Sequence, residues 1–542
     1  MNSTLYIVDV KDPSDMKLAA SMRGVSDDFT EYFMDIFYAP DTKTLSVIST
    51  GYYNGEPIYY DNTSATAAVT DPASSFWGFL SSKKEAGSDP DNYYTPTIPY
   101  TKLQTYDVSD PENPVPIRSF SQEGSYLSSR RIGDTVYLIT TEYLYTYYGY
   151  GTDMTEVIPK TMTEDGTWEY VAPQDIYIVN PDYADAFTVV SAIDTRDAEG
   201  ASETEAILGS GSTVYANEDT LYIAGTVWDY SVCDTYGDLN FFYENGTDTS
   251  ENDAYKTKIL SFSITDGTLK AKATGKVNGS VLNQYSMDEY DGYFRIATTS
   301  GGWWSSETSN NVFVLDGSLE PVSKLTDLAP GESIYSVRFS GDRIYMVTFE
   351  QVDPLFVIDA SDPEKLEVLG TLKIPGYSNY MQMLGDNLIL AVGNATRTEG
   401  ESVIPTGLKI AVFDVTDPSN PVQKSYLIYG ASYGYSEVQY NPKALLLDKA
   451  RGLIGLPVSF DMPAGKFGSE YVDGFLLLSV DKEGNLGHRN IFKNYEAYQS
   501  YGSSRGVLID DTIFLLGTNG VTSFSLTDYR KLDSLEFAAV SY

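Results

Sequence analysis

The sequence predicts an all-β chain that folds as a single β-propeller of four-stranded antiparallel blades. Three observations lead to this prediction: a short apolar phrase ending in Asp-x-x-Asp-Pro recurs along the chain, a second kind of hairpin separates its copies, and no long stretch has helical periodicity. Two hairpins, or four strands, in a unit of about 40 to 50 residues are typical of a propeller blade.

The Asp-Pro phrase marks the outer hairpin of each unit. Its clearest copies begin at Leu5, Leu103, Leu355 and Leu408. Each copy has an apolar strand before the turn and a second short strand after it, such as 365–374. An aspartate side chain accepts hydrogen bonds from backbone amides two residues on, and proline fixes φ, so the phrase explains the reversal of the chain. We therefore expect these carboxylates to form turns, not a catalytic site.

A second hairpin lies between successive copies, as in 333–349, where Gly341-Asp342 separates two β-rich runs. Counting gives about eight central hairpins and about nine Asp-Pro hairpins. One terminal hairpin is therefore surplus. Since the chain opens on a strand at Leu5 and closes with 521–537, we expect the N- and C-terminal strands to pair and close the ring. Eight blades are predicted, and nine blades with a missing N-terminal hairpin are the alternative.

Composition limits the classes of function. The 542 residues are predicted to form one domain over 1–542, because each blade packs only on its neighbours. The net charge of −40 argues against a nucleic-acid partner, whose phosphates would be repelled. No apolar stretch approaches the roughly 18 residues needed to span a bilayer. We expect a monomer at an extracellular or cell-surface location, with an export signal or membrane anchor removed from a longer precursor.

Three segments interrupt the repeat, at 51–100, 142–175 and 229–256. All three fall between the second and third strands of a unit, so they are expected to emerge on one face of the propeller. They are rich in tyrosine, glycine, serine and asparagine, a composition that forms adaptable contact surfaces. Acidic surface loops without a partner are the alternative interpretation.

Few residues are suited to catalysis or to binding a transition metal. The chain has one histidine, His488, predicted on an outer strand, and one cysteine, Cys233. A Ser-His-Asp triad and His- or Cys-based metal sites are therefore disfavoured. No cofactor is predicted. A calcium site in one of the acidic stretches 26–35, 286–292 and 246–253 is the remaining alternative, although none of them has the Asp-x-Asp-x-Asp-Gly spacing.

Polar residues recur on the predicted innermost strands, which line the axis of a propeller. They are Arg130, Arg131, Asn283, Gln284, Arg338, Asn379, Glu437 and Arg505. Two explanations are open. In the first, the arginines pair with carboxylates close in sequence, Arg338 with Asp342 or Glu332 and Arg505 with Asp510. In the second, they hold a small anionic or sugar-like ligand at the mouth of the channel.

Four stretches, 124–140, 277–299, 328–380 and 407–421, give the chain a family resemblance. It resembles the secreted bacterial and archaeal family with a C-terminal beta-propeller domain, distantly similar to WD-repeat proteins. The resemblance covers nearly the whole chain and implies the fold, but it implies no particular biochemical activity. Similar proteins have His-Pro where this chain has Met381-Gln382, and Asp-His-Lys where it has Asn441-Pro442-Lys443. A metal-binding or proton-transfer role that depends on those two histidines is therefore absent from this chain.

The leading functional hypothesis is a non-enzymatic extracellular binding or scaffold module that contacts a protein or a ligand through the insertions. The alternative is a carbohydrate-active enzyme with paired carboxylates about 5 to 10 Å apart in an open central depression. Aromatic residues such as Trp303 and Trp304 would line that depression.

Overall fold

The computed structural model describes most of the chain. The described residues are 4–24, 31–55, 58–59, 93–94, 97–144, 157–163, 166–178, 186–196, 202–209, 211–228, 255–301, 308–349, 353–399, 402–464, 468–493, 504–517 and 519–537. Within these ranges the regular structure consists of β-strands and a few 3₁₀ helices of three residues each.

The strands of the first half are β1 (Thr4–Asp9), β2 (Lys17–Arg23), β3 (Tyr32–Ala39), β4 (Thr44–Asn54), β5 (Ile58–Tyr59), β6 (Tyr93–Tyr94), β7 (Thr97–Asp107), β8 (Val115–Glu123), β9 (Ser125–Ile132), β10 (Thr135–Tyr143), β11 (Lys160–Met162), β12 (Trp168–Tyr170), β13 (Ile176–Ile178), β14 (Ala186–Asp194), β15 (Ser202–Leu208), β16 (Thr213–Ala216), β17 (Thr220–Trp228), β18 (Tyr255–Ser263), β19 (Lys270–Asn278) and β20 (Ser280–Val281).

Those of the second half are β21 (Met287–Tyr290), β22 (Tyr293–Ser300), β23 (Ser309–Leu315), β24 (Pro321–Leu328), β25 (Ser333–Ser340), β26 (Arg343–Phe349), β27 (Asp353–Asp362), β28 (Lys365–Ile374), β29 (Tyr377–Met383), β30 (Leu388–Glu399), β31 (Ser402–Asp414), β32 (Val422–Tyr429), β33 (Gly434–Tyr435), β34 (Leu446–Asp448), β35 (Leu453–Ala464), β36 (Gly468–Val480), β37 (Leu486–Phe492), β38 (Arg505–Ile509), β39 (Thr512–Gly517), β40 (Gly520–Ser525) and β41 (Lys531–Glu536). The 3₁₀ helices are Pro173–Asp175, Thr265–Gly267, Gln284–Ser286, Glu437–Gln439 and Pro442–Ala444.

Successive strands form sheets of one recurring antiparallel design; β11 and β12 extend one of these sheets beyond β8, and β13 adds to another by pairing parallel with β15. In β25-β26-β27-β28, β29-β30-β31-β32 and β38-β39-β40-β41, four consecutive strands lie side by side in chain order. The same order holds for β3-β4-β7-β8, β9-β10-β14-β15, β16-β17-β18-β19, β22-β23-β24 with β20 and β21, and β35-β36-β37 with β33 and β34. The predicted all-β chain of four-stranded antiparallel blades is thus confirmed.

The N-terminal hairpin is separate from these sheets. β1 pairs with β2 in a two-stranded sheet. The turn that follows β1 is bonded to the last sheet, since the Met16 backbone N–H donates to Asp533 at 2.8 Å and the Ser523 hydroxyl donates to the Pro13 carbonyl at 2.6 Å. Strand pairing between the two ends and the number of blades stay predictions.

The chain divides into two compact units. Unit 1 draws on 1–8, 18–225 and 259–274, and unit 2 on 9–17, 226–258 and 275–542. A single domain over 1–542 stays a prediction.

Apolar side chains fill the spaces between consecutive sheets inside each unit. In unit 1, Ile48, Leu103 and Phe120 of one sheet pack with Val136 and Leu138 of the next. In unit 2, one cluster joins β30 and β31 to β35 and β36. β10 and β14 are buried along nearly their whole length. Burying each such side chain contributes about 1.5 to 3 kcal/mol, so packing between sheets is the main source of stability.

The Asp-Pro phrases form turns as predicted. In each copy the first aspartate accepts a hydrogen bond from the backbone N–H two residues on: Asp9 from Lys11, Asp107 from Ser109, Asp359 from Ser361 and Asp414 from Thr416, at 2.8 to 3.0 Å. The second aspartate does the same, as Asp417 does with Ser419 at 3.0 Å. Hydrogen bonds from the side chains of Thr416 and Ser419, and then from their backbone N–H groups, favour the ionised carboxylates and lower the pKa of Asp414 and that of Asp417.

The three insertions each join the second strand of a sheet to the third. The first lies between β4 and β7, the second between β10 and β14, and the third between β17 and β18. Most of their residues, including Cys233 and the acidic stretch 246–253, lie outside the described residues. A short ladder, Ile58↔Tyr94 and Tyr59↔Tyr93, brings the two ends of the first insertion together. Emergence on one face stays a prediction. Among the described residues, no helix has the length and apolar character of a membrane span.

Replacing Asp414 and Asp417 by alanine should lower the thermal midpoint, because the backbone amides of Thr416 and Ser419 lose their acceptors. In the wild type this stabilisation is complete above the unfolded aspartate pKa of about 3.9 and is lost as the pH falls through the lower folded values. The thermal midpoint of the double variant should therefore be lower than that of wild type near neutral pH, and the two midpoints should converge in strong acid. The exposed Asp386→Ala is the control. Thermal unfolding by circular dichroism measures both effects, and a pH-independent difference would contradict the turn assignment.

Candidate functional site

The innermost strands of two sheets in unit 2 are interrupted by 3₁₀ helices. In one, Gln284–Ser286 lies between β20 and β21; in the other, Glu437–Gln439 and Pro442–Ala444 lie between β33 and β34. The sequence predicted plain strands here. The chain turns instead because polar side chains cap the turns: Asn283 accepts from the Tyr285 N–H at 2.9 Å, and Ser436 forms a reciprocal capping box with Gln439. The breaks turn side chains away from the strand ladder.

Glu437 and Arg505 form a bidentate ion pair at this break. The two guanidinium nitrogens of Arg505 donate to the two carboxylate oxygens of Glu437 at 2.9 and 2.8 Å. The Asn441 amide also donates to Glu437 at 2.7 Å. Asp510, the partner expected for Arg505, does not take this role; its backbone carbonyl accepts from Arg451. A carboxylate held by three donors is poorly suited to act as a nucleophile or general base.

A chain of amides runs from this break to the neighbouring sheet. The Gln439 amide donates to Asn379 at 2.9 Å and to Asn394 at 2.7 Å, and Asn394 donates to the Gly434 carbonyl at 2.7 Å. Gln439 and Asn394 are both buried. Asn379, expected at the channel, is therefore an acceptor within a structural network.

Arg338 is held by aromatic rings and a backbone carbonyl. Its Nε donates to the Met381 carbonyl at 2.9 Å, and its guanidinium lies 4.7 Å from the Tyr285 ring centroid and 5.5 Å from that of Tyr380. Cation–π contacts of this kind hold arginine without a carboxylate. The expected pairing with Asp342 or Glu332 is wrong, since Asp342 pairs with Arg343 and Glu332 accepts from Thr348.

Four tyrosines form an exposed aromatic patch beside the Glu437–Arg505 pair. This tyrosine surface comprises Tyr433, Tyr435, Tyr440 and Tyr471. The rings of Tyr435 and Tyr440 are stacked, with centroids 6.3 Å apart and planes inclined by 21°. Tyr440 is 72% exposed and Tyr435 is 39% exposed. Partial burial, with Glu437 nearby, raises the pKa of Tyr435, so its hydroxyl stays protonated near neutral pH.

Asp461 fixes the loop that carries the first of these tyrosines. Its carboxylate accepts from the backbone N–H groups of Ala431, Ser432 and Tyr433 at 2.8 to 2.9 Å, and from the Ser432 hydroxyl at 2.6 Å. These donors, led by the Ser432 hydroxyl, hold the pKa of Asp461 well below its usual range. Tyr433 meets Tyr471 edge-on at 6.3 Å. The tyrosine surface therefore has a rigid polar base.

The remaining predicted residues have structural partners. Asn283 caps a 3₁₀ helix, and the adjacent Gln284 begins it. In unit 1, Arg130 donates to the Ser129 and Val214 carbonyls at 2.7 and 2.9 Å, and Arg131 lies 3.4 Å from Asp134. The structure thus brings Arg338, Asn379, Glu437 and Arg505 into connected networks of unit 2.

Catalytic groups are scarce in the part of the chain that the structure describes. His488 lies on the outer strand β37, where it shares a 2.9 Å hydrogen bond with Tyr429. Trp303 and Trp304 lie outside the described residues. Within the described ranges, no cluster of three or more His, Cys, Asp or Glu side chains is arranged to hold a metal ion. Of the calcium candidates, Asp288 in 286–292 is paired with Arg295.

One pair of carboxyl groups in unit 1 has interacting charges. Glu123 of β8 and Glu142 of β10 are each 2% exposed. Burial first, and then the charge of Glu123, raises the pKa of Glu142 to about 8; burial also raises the pKa of Glu123. Tyr53 stacks on Trp168 close by, with centroids 5.0 Å apart. Such burial leaves no open cleft for a sugar ring, which the enzymatic alternative requires.

A family model described as a beta propeller domain matches residues 1–529. This chain belongs to the beta propeller domain family. An uncharacterised protein of Archaeoglobus fulgidus is 35% identical over 296 residues, which are 54% of this propeller and 41% of the relative. An uncharacterised protein of Methanocaldococcus jannaschii is 28% identical over 424 residues, 66% of this propeller and 64% of the relative. The propeller thus spans less than two thirds of the length of either relative.

Among solved structures, AztD of Citrobacter koseri is 13% identical with a TM-score of 0.37, over 80% of this propeller and 91% of that chain. The acylaminoacyl peptidase of Pyrococcus horikoshii is 8% identical with a TM-score of 0.31, over 75% of this propeller and 52% of that chain. Likeness at these TM-scores carries no argument about the function of the propeller.

The site includes residues that sequence reasoning missed. The sequence-based prediction located the tyrosine contacts in the insertions, whereas the tyrosine surface in the structure is formed by residues of the inner-strand break and of β36. One sequence signal could have revealed this site. The run Tyr433-Gly-Tyr-Ser-Glu-Val-Gln-Tyr440 does not alternate strictly between apolar and polar residues, and Pro442 follows it; both features indicate an interrupted strand. Both segments that depart from similar proteins, Met381-Gln382 and Asn441-Pro442-Lys443, lie next to residues of this network.

The Glu437–Arg505 pair should stabilise the inner-strand break of the propeller. Arg505→Met should cost about 1 to 2 kcal/mol of unfolding free energy, because it leaves a partly buried carboxylate without its charged partner. Glu437→Gln combined with Arg505→Met should cost less than the sum of the two single changes. Chemical denaturation of the four proteins measures the coupling. Lys365→Met, which breaks the exposed Lys365–Glu367 contact, is the matched control and should have no effect; zero coupling for Glu437 and Arg505 would contradict the assignment.

Proposed function

We propose that this propeller is a non-enzymatic binding module of the cell exterior or cell surface, and that its tyrosine surface contacts a neutral, hydroxyl-rich ligand such as a glycan. The observation that carries the proposal is the patch formed by Tyr433, Tyr435, Tyr440 and Tyr471 beside the Glu437–Arg505 pair. Exposed aromatic patches on a rigid base are typical of binding sites.

The chemistry of the patch favours recognition over catalysis. Tyrosine rings offer apolar faces at low entropic cost, and their hydroxyls, with Asn441, offer hydrogen bonds to ligand hydroxyl groups. The charges of Glu437 and Arg505 are paired with each other. The net charge of −40 disfavours anionic ligands, which supports a neutral one over the anionic alternative.

Binding can be tested with a panel of neutral and anionic oligosaccharides, using isothermal calorimetry. Tyr435→Ala and Tyr440→Ala should each weaken the binding of a neutral oligosaccharide by roughly 5- to 150-fold, as expected when about 1 to 3 kcal/mol of aromatic stacking is removed. Tyr426→Ala removes an exposed tyrosine from the outer strand β32 and should leave affinity unchanged. No binding in the panel, or equal losses in all three variants, would overturn the assignment. Hydrolysis of an oligosaccharide in the panel would instead favour the carbohydrate-active enzyme.

We further propose that the insertions at 51–100, 142–175 and 229–256 form a second contact face, for a protein partner. The ladder that joins β5 to β6 supports a clean test, because it brings Tyr59 and Tyr93 together. Replacing 60–92 by an Asn-Gly turn should leave the thermal midpoint near that of wild type while abolishing capture of partners from cell-surface material. The comparison is a pull-down by wild type and by variants in which each insertion is shortened separately. Unchanged capture by every shortened variant would rule this face out.

For the architecture, we infer eight blades. Eight sheets with the four-strand order occur among the described residues, and the N-terminal turn is bonded to the last of them. Both observations support a ring closed near the termini. Class averages from electron microscopy that show nine blades or an open ring would contradict the inference.

A further inference from the structure

The tyrosine surface lies where β35 and β36 extend beyond their neighbours in unit 2. These two strands are joined by twelve residue pairs, whereas β37 pairs with β36 only from Phe475 onwards. Phe475 and Leu477 pack against the last sheet. Tyr471 and Asp473 lie on the same face of β36, because side chains alternate along a strand. Tyr471 is 64% exposed, so this end of the face is not covered by the last sheet.

The first of two rows across this face consists of Tyr433, Asp461 and Tyr471. The Asp461 N–H donates to the Tyr433 carbonyl at 3.2 Å, and Asp461 is paired with Tyr471 on the next strand. Residues that are directly opposite each other in a sheet have side chains on the same face. The two rings meet edge-on at 6.3 Å, and Asp461 between them is 5% exposed. This row therefore presents an aromatic pair over a buried carboxylate.

The second row consists of Tyr435, Ser459 and Asp473, which are paired in this order across three strands. Each member is two residues from a member of the first row, so both rows are on the same face. Ser459 and Asp473 are half-buried. Neither side chain has a hydrogen-bond or ion-pair partner among the residues that the structure describes. The second row therefore combines an aromatic ring with a hydroxyl and a carboxylate that can bond a ligand.

Together the rows form a surface larger than one sugar ring. Two residues along a strand span about 7 Å, and two strand spacings span about 10 Å. Tyr440, which stacks on Tyr435 with centroids 6.3 Å apart, extends the surface beyond the second row. A six-membered sugar ring is about as wide as one tyrosine ring, so a single sugar covers only one of the two aromatic pairs. Contact with both pairs requires at least two linked rings.

We propose that the tyrosine surface binds two consecutive units of an extended oligosaccharide, such as a β-1,4-linked chain, and that Ser459 and Asp473 belong to the site. This inference rests on the function proposed above. One sugar ring packs on each aromatic pair through its apolar face. Ser459 and Asp473 form hydrogen bonds with the hydroxyl groups at the ring edges, since a carboxylate accepts from two donors at once and forms the stronger bonds.

Calorimetric titration with β-1,4-linked glucose oligomers of one, two and four units tests the inference; if another neutral series binds in the panel above, its oligomers are used. Two units should bind roughly 5- to 150-fold more tightly than one, because the second ring adds one stacking contact. Extension from two units to four should add less than that. Tyr471→Ala should remove most of the gain from the second unit. Its thermal midpoint should match that of wild type, because the ring is mainly exposed.

Asp473→Asn keeps the shape of the side chain and removes its charge. It should weaken the binding of two units by roughly fivefold, because hydrogen bonds to a charged group are stronger than neutral ones. Glu470→Gln is the matched control: it removes one charge from the opposite face of β36 and should leave affinity unchanged. Choline that displaces the sugar from wild type but not from Asp473→Asn would indicate a site for cations and overturn the proposal.

The outcomes separate this inference from the proposed function. Equal affinity for one unit and for four would overturn the two-row site and leave the proposed function standing. Full affinity in both Tyr471→Ala and Asp473→Asn, with weaker binding in Tyr440→Ala, would do the same. If no oligosaccharide of the panel or of the series binds, the proposed function itself is wrong, and this inference is wrong with it.

Discussion

Packing between consecutive sheets is the constraint on which the rest of the structure depends. A strand in the middle of a sheet has both faces covered, as β10 and β14 show, so apolar residues follow one another there without alternation. Polar side chains must then lie at the edges of the sheets or find partners inside the layers. The unit 2 network follows this rule at an inner edge. Glu123 follows it through the Tyr53 hydroxyl and the Lys160 backbone N–H, which donate to its carboxylate.

The inner edge is polar because its strands are incomplete. Where a strand gives way to a 3₁₀ helix, backbone groups leave the ladder and side chains must satisfy them. Ser436, Gln439 and Asn441 do this locally, and Asn379 and Asn394 extend the network to the next sheet. The interruption of the inner strand, which these amides stabilise, also directs Tyr435 and Tyr440 to the outside. The hydrogen-bond network and the exposed tyrosine rings at this site thus have one cause.

The sequence predicted the features that depend on neighbours in the chain. Asp-x-x-Asp-Pro acts over two or three residues, so the turns at Asp107 and Asp414 were correctly identified. Features that depend on distant partners were not. Arg505 pairs with Glu437, 68 residues away, in place of the nearby Asp510. Glu142 follows two threonines and precedes a tyrosine, a pattern equally typical of an exposed strand end. Nothing local indicates that the neighbouring sheet covers it.

The ladder between β5 and β6 has a consequence for how such a chain can change. The backbone pairs Ile58↔Tyr94 and Tyr59↔Tyr93 hold the ends of a long insertion side by side, next to the point where β4 and β7 part. Whatever replaces 60–92 enters and leaves the blade at adjacent positions and does not disturb the register of the core strands. This blade therefore offers a natural graft point, where evolution or a protein engineer could exchange one module for another while the scaffold keeps its geometry.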